Sequence, residues 1–131
     1  MSISKGSILI VDHDASARGM LLSLLSRECY YCVATSSAED ALDNCATRDF
    51  DVVILDAITP GATVAELLPK LVNRCHETQF IVAVSSMDGE AIEQSIRLGA
   101  SDYVIKPYNN SDVVERVEAA ISRKRMAADK K

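Results

Sequence analysis

Four short apolar runs punctuate the chain: Ile8 to Val11, Val52 to Leu55, Phe80 to Val84 and Tyr103 to Ile105. They are rich in Val and Ile and do not alternate with polar residues, the pattern of central strands covered on both faces of a parallel sheet. Tyr30 to Ala34 makes a fifth, weaker strand. The segments between them carry apolar residues at helical spacing. Ala17, Met20, Leu21, Leu24 and Leu25 form one stripe, with Asp14 placed to cap it. Ala38, Ala41, Leu42 and Cys45 form a second, introduced by Ser36 and, three residues on, Glu39, a capping-box pattern. Val64, Leu67, Leu68, Leu71 and Val72 form a third, in which Pro69 predicts a kink or a late start to the regular helix. Ile92 and Ile96 mark a fourth, capped by Asp88 and stopped by Gly99. Val113, Val114, Val117 and Ile121 mark a fifth, opening after Ser111. Strand is followed by helix five times, and such units impose right-handed crossovers. The expected fold is α/β, a parallel five-stranded sheet with helices on both faces.

A chain of 131 residues is the length of one domain and long enough to bury a core. Its 48% apolar and 25% charged residues are ordinary for a soluble globular protein. No apolar run approaches the ~18–20 residues of a membrane span, and Met1 to Gly6 carries no signal-peptide core. The expected location is the cytoplasm. The net charge of −5 argues against a body that binds nucleic acid directly. Basic residues crowd the end, at Arg123, Lys124, Arg125, Lys130 and Lys131. Residues 1–122 are therefore read as the domain, and 123–131 as a basic helical tail or the start of a linker. Cys29 and Cys32 form a C-x-x-C that enters the second strand, where residues three apart point to opposite faces. With no second pair to complete a zinc site, these two, Cys45 and Cys75 read as reduced structural thiols.

A polar residue follows each central run: Asp12 after Val11, Asp56 after Leu55, Ser85 after Val84 and Lys106 after Ile105. In an open parallel sheet all four lie at the carboxyl edge, where ligand sites form. Asp56 is a carboxylate nucleophile able to form an acyl phosphate. Lys106 suits pairing with phosphoryl oxygens, the Ser85 hydroxyl suits donation to one, and Asp12 suits a Mg²⁺ ion, which takes oxygen ligands.

With these residues in view, the chain resembles the response-regulator receiver domains of two-component signalling, from about Ser7 to Arg123. The resemblance rests on Ile8-Leu9-Ile10-Val11-Asp12, on Asp56-Ala57-Ile58-Thr59-Pro60-Gly61, on Ser85, and on Gly99 through Ser101-Asp102-Tyr103-Val104-Ile105-Lys106-Pro107. It implies the flavodoxin-like strand order 2-1-3-4-5. It further implies a phosphoryl group accepted on Asp56 from a histidine kinase or phosphotransfer protein, contacted by Ser85 and Lys106. By the same resemblance Tyr103 is a switch aromatic that turns inward with Ser85, Asp12 and Asp56 hold Mg²⁺ together with the main-chain carbonyl of Ile58, and the Lys106–Pro107 bond is cis. A homodimer through the fourth helix, fifth strand and fifth helix is the implied signalling face, with Asp102 and Arg116 where some receivers pair across it.

Two residues depart from that pattern. Receivers usually carry two adjacent acids after the first strand, and here the second is His13. Imidazole is a poor ligand for Mg²⁺ and a better one for Zn, Ni or Cu, so Mg²⁺ binding is expected to be weakened and the metal role of His13 is open. The loop after Asp56 reads Pro60-Gly61-Ala62-Thr63-Val64, and Val64 resists the positive φ open to the glycine usual there, so a different loop shape is expected. Ile58 is apolar beside the pocket and is expected to slow water attack on a phosphoryl group. The alternative function is a pseudo-receiver, the same fold acting as a phosphate-independent interaction module. A flavodoxin fits poorly, because Asp12-His13-Asp14 stands where an anionic cofactor needs a phosphate loop. Chemistry on other substrates is not expected, so the protein is read as no enzyme beyond its own phosphorylation and dephosphorylation.

Overall fold

The computed structural model describes residues 4–85 and 89–129. In chain order the elements are β1 (Ser7–Val11), α1 (Ala15–Arg27), β2 (Tyr31–Thr35), α2 (Ala38–Thr47), β3 (Val52–Asp56), β4 (Ile58–Thr59), β5 (Ala62–Thr63), α3 (Val64–Arg74), β6 (Gln79–Ser85), α4 (Gly89–Arg97), β7 (Asp102–Lys106) and α5 (Asn110–Asp129). The main sheet is parallel throughout with order β2-β1-β3-β6-β7, and β4 and β5 form a separate antiparallel hairpin. Setting the hairpin aside, this is the expected order 2-1-3-4-5.

Successive strand side chains point to opposite faces, and here both faces are apolar. Leu9, Val11, Val53, Leu55, Phe80, Val82 and Val84 pack with Ala41, Leu67, Leu68 and Leu71 of α2 and α3, and with Ile92 of α4. Ile8, Ile10, Val52, Ile54, Ile81, Ala83 and Val104 pack with Leu21, Leu24 and Leu25 of α1 and with Val113, Val117 and Ala120 of α5. Each fully buried side chain of this size contributes about 1.5–3 kcal/mol. The two layers hold the carboxyl ends of the strands along one edge, and that edge carries the site.

Several local expectations change. The cap of α2 is Ser37, whose side chain accepts the Asp40 N–H, rather than Ser36. Helix α3 has no late start: it opens at Val64, where Thr63 and Glu66 close a reciprocal capping box, and Pro69 lies inside it. Helix α5 is led by Asn109 instead of Ser111: the Asn109 side chain accepts the Asp112 N–H, and its carbonyl accepts that of Val113. In α4 the buried position is Ser95, with its hydroxyl donated to the Ala91 carbonyl, while Ile96 is 45% exposed. Asp88 lies outside the described residues. Gly99 ends α4 at φ +115, where a Cβ would also meet Val72 Cγ2 at 2.9 Å, so both backbone and space require glycine.

The amino edge of the sheet is tied by polar groups. Asp51 accepts the Ser7 N–H at 2.8 Å and pairs with Lys124 of α5. Arg123 donates to Gln79 Oε1 at 3.0 Å, and Arg125 to the Lys5 carbonyl at 3.2 Å. The basic end of α5 is therefore bonded back to the body up to Arg125, not simply solvated. Burial raises the Asp51 pKa, but Lys124 and Ser7 outweigh it and hold the carboxyl below its ordinary value.

Candidate functional site

Strand ends and loop caps carry the chemistry at the carboxyl edge. Asp12 follows β1 directly, and Asp56, Ser85 and Lys106 are the last residues of β3, β6 and β7. Asp12 and Asp56 are 1% and 3% exposed, which is rare for carboxylates without partners. Their partners converge on them. Lys106 Nζ lies 3.2 Å from Asp56 Oδ2 and 3.3 Å from Asp12 Oδ2. Burial works against the ammonium charge, but Asp56 and Asp12 outweigh it and hold the Lys106 pKa above the usual lysine range. The Ile58 N–H donates to Asp56 Oδ1 at 3.1 Å, and the Asp14 N–H donates to Asp12 Oδ1 at 3.0 Å.

His13 completes the pocket. Its Nδ1 is 2.9 Å from Asp56 Oδ2 and 4.0 Å from Asp12 Oδ1. Asp14 does not reach back to replace the missing acid, because its carboxylate caps α1 by accepting the Ser16 N–H at 3.0 Å. Three groups were not anticipated. Tyr108 donates its hydroxyl to Asp12 Oδ2 at 3.0 Å, and burial followed by the Asp12 charge raises its pKa well above the ordinary phenol value. Arg18 donates to the Asp12 carbonyl at 2.9 Å, and buried Thr59 to the Asp56 carbonyl at 2.7 Å. The only sequence sign for Tyr108 is its place directly after Lys106-Pro107, where the peptide bond is cis.

Lys106 is thus within direct bonding reach of both Asp12 and Asp56. Ser85 joins them by register: it pairs with Lys106 across the strands and stands two residues beyond Ala83, the register partner of Asp56. Tyr103 is half-buried, with the Arg116 guanidinium 4.9 Å from its ring centroid. Arg116 also bonds Asp102 and Asp112 within the same chain. Ile58 is 65% exposed beside the pocket. The loop after Asp56 is the β4–β5 hairpin, turned by Pro60 and by Gly61 at φ +97, while Val64 opens α3.

The donor set tests which ion suits the pocket. Mg²⁺ takes oxygen ligands in a near-octahedral array, whereas this pocket offers two carboxylates and an imidazole. The imidazole makes the set a weaker match to Mg²⁺ than oxygen ligands alone and a better match to a borderline cation. All four cysteines are free, and burial together with Cys75 pushes the Cys45 thiol up to about 12, so it stays protonated. No described helix is long and apolar enough to cross a membrane.

Residues 8–118 match the family model of the response regulator receiver domain. The chain is 32% identical over 130 residues to the probable transcriptional regulator ycf27 of Guillardia theta, covering 95% of this chain and 49% of that protein. It is 30% identical over 123 residues to the alkaline phosphatase synthesis transcriptional regulatory protein PhoP of Bacillus subtilis, covering 92% and 50%. The chain spans about half the length of these curated relatives. Among solved structures, a CheY-like response regulator receiver domain protein from Methanospirillum hungatei superposes with a TM-score of 0.88 at 24% identity, covering 95% of this chain and 99% of that one.

Proposed function

This chain belongs to the response regulator receiver domain family, and from that premise we propose that it is a phosphorylation switch whose acceptor is Asp56. Receivers take phosphoryl groups from histidine kinases or phosphotransfer proteins. In the proposed step an Asp56 carboxylate oxygen attacks the phosphorus of a phosphohistidine. An O–P bond forms as the N–P bond breaks, and the donor imidazole leaves. The observation that carries this reading is the convergence of buried Asp12 and Asp56 on Lys106 Nζ at 3.2–3.3 Å. Lys106 meets the charge of the incoming phosphoryl oxygens, and Ser85, across the strands from Lys106, donates to one of them. Receivers generally bind Mg²⁺, held in this reading by Asp12, Asp56 and the Ile58 carbonyl. A bound dication supplies charge neutralisation, and His13 in place of an acid weakens Mg²⁺.

The switch runs from Ser85 to Tyr103, whose ring lies against Arg116, and the output face is α4, β7 and α5. Exposed Ile96 supports a homodimer there, although Asp102 and Arg116 are bonded inside one chain. The receiver body is taken as 1–122, with 123–131 a basic tail or the start of a linker. It works in the cytoplasm, makes no direct contact with nucleic acid, and is no enzyme beyond its own phosphoryl chemistry.

A second reading is a phosphate-independent interaction module. The bond between His13 and Asp56, with Asp12 already held by Tyr108 and Lys106, favours it. Labelling with acetyl phosphate and a divalent cation, read by intact mass, separates the two. One phosphoryl group on the wild type and none on Asp56→Asn supports the switch; an unlabelled wild type supports the module.

A further inference from the structure

We propose that the pocket selects a borderline transition-metal dication over Mg²⁺, with His13 Nδ1 as a direct ligand beside Asp12 and Asp56. This deepens the reading of the pocket as a phosphoacceptor site and rests on it for its purpose, though not for its ligand geometry. One donor atom from each of the three residues lies within 4.8 Å of the others, the only such trio among the described residues. Two ligands held at ~2.0–2.2 Å from one ion sit about 2.8–3.1 Å apart at a right angle and about 4.0–4.4 Å apart when opposed. The separation of 2.9 Å from His13 Nδ1 to Asp56 Oδ2 falls in the first range, and that of 4.0 Å to Asp12 Oδ1 at the lower end of the second.

The backbone holds this arrangement. His13 stands between Asp12, which directly follows a buried strand, and Asp14, whose main-chain N–H is bonded to Asp12 and whose carboxylate caps α1. It can neither slide along the chain nor be replaced by Asp14. The His13 side chain is 43% exposed, so one side of the ion stays open to water or to a phosphoryl oxygen. Mixed nitrogen and oxygen donors follow the order in which Co²⁺, Ni²⁺ and Zn²⁺ bind above Mn²⁺, while Mg²⁺ prefers oxygen alone. Lys106 remains beside both carboxylates and limits the affinity for any dication without altering the preference among them.

The test titrates the reduced whole chain at pH 8 with Co²⁺, followed by visible absorption, and with Mg²⁺ in competition. The wild type, His13→Asp, His13→Ala and Asp12→Asn are compared. The expected result is Co²⁺ binding at least about tenfold tighter than Mg²⁺ in the wild type. In His13→Asp the ratio falls about tenfold as Mg²⁺ binding improves, in His13→Ala Co²⁺ binding weakens without that gain, and in Asp12→Asn both ions weaken. An unchanged ratio in His13→Asp overturns the proposal and leaves His13 as a hydrogen-bond partner of Asp56. A Co²⁺ signal that survives Asp12→Asn overturns it too, since the ion then sits elsewhere. Acetyl phosphate labelling in parallel separates the two ideas. Selectivity without labelling removes the phosphoacceptor reading alone, and labelling without selectivity removes this one alone.

Discussion

Asp51 stands just before β3 and Asp56 at its last residue; each carboxylate accepts a main-chain N–H and faces a lysine. Their surroundings differ in charge balance. Asp51 has Lys124 to itself and is 30% exposed, so solvent and Ser7 complete its needs. Asp56 shares Lys106 with Asp12, and both acids are almost fully buried. Two buried carboxylates against one ammonium leave a pocket with an appetite for further positive charge. The amino edge is a tie; the carboxyl edge is unfinished. Residue type alone does not separate the two. The company each aspartate keeps does.

Three changes sharpen or break this contrast, beyond the loss of labelling in Asp56→Asn. The largest effect on stability belongs to Asp51→Asn, which leaves Lys124 unpaired and weakens the bond to the Ser7 N–H. Urea unfolding at pH 7 is expected to show a loss of about 2 kcal/mol, no more because the site is partly solvated, with acetyl phosphate labelling unchanged. The folded Asp51 carboxyl lies below its unfolded value of ~3.9, so its contribution is present above that pH and lost as pH falls through the folded value. The difference between wild type and variant should therefore be flat from about pH 7 to 5 and shrink below about pH 4. A loss of labelling in Asp51→Asn would break the contrast.

Tyr108→Phe removes one donor from Asp12 while Lys106 and the Asp14 N–H remain. The expected cost is about 1 kcal/mol in the same assay, and it should disappear when Asp12→Ala is already present. The smallest effect is at Ile58. Ile58→Asn should change stability by less than about 0.5 kcal/mol while shortening the lifetime of the Asp56 acyl phosphate; equal lifetimes would end the idea that this side chain shields phosphorus from water.

Asp12, Asp56 and Lys106 were legible in the sequence because each falls where an unbroken apolar run stops, and a parallel sheet brings such stops to one edge. The five strands and helices were legible for the same reason. Tyr108 was not, since an aromatic residue in a loop gives no sign of which acid its hydroxyl will meet. Ser36 and Ser37 each have an acid three residues on, so the pattern could not choose between them. Ser95 is buried and Ile96 exposed because the Ala91 carbonyl satisfies the serine hydroxyl, and polarity alone misleads there. The strands of the β4–β5 hairpin are 2 residues each, too short for any periodic signal. The bonds of Arg123, Lys124 and Arg125 depend on α5 lying across the amino edge, which no local pattern reports.

Helix α5 runs for 20 residues without a break, about 30 Å at ~1.5 Å per residue. It starts close after Tyr108 on one rim and is fastened by Arg123 and Lys124 on the other. That makes it a ruler with a phase. Removing one residue from its middle would turn one end by about 100° against the other. The guanidinium and ammonium groups would then miss Gln79 and Asp51 even though every side chain were still present. The two rims are thus tied to a single count of residues.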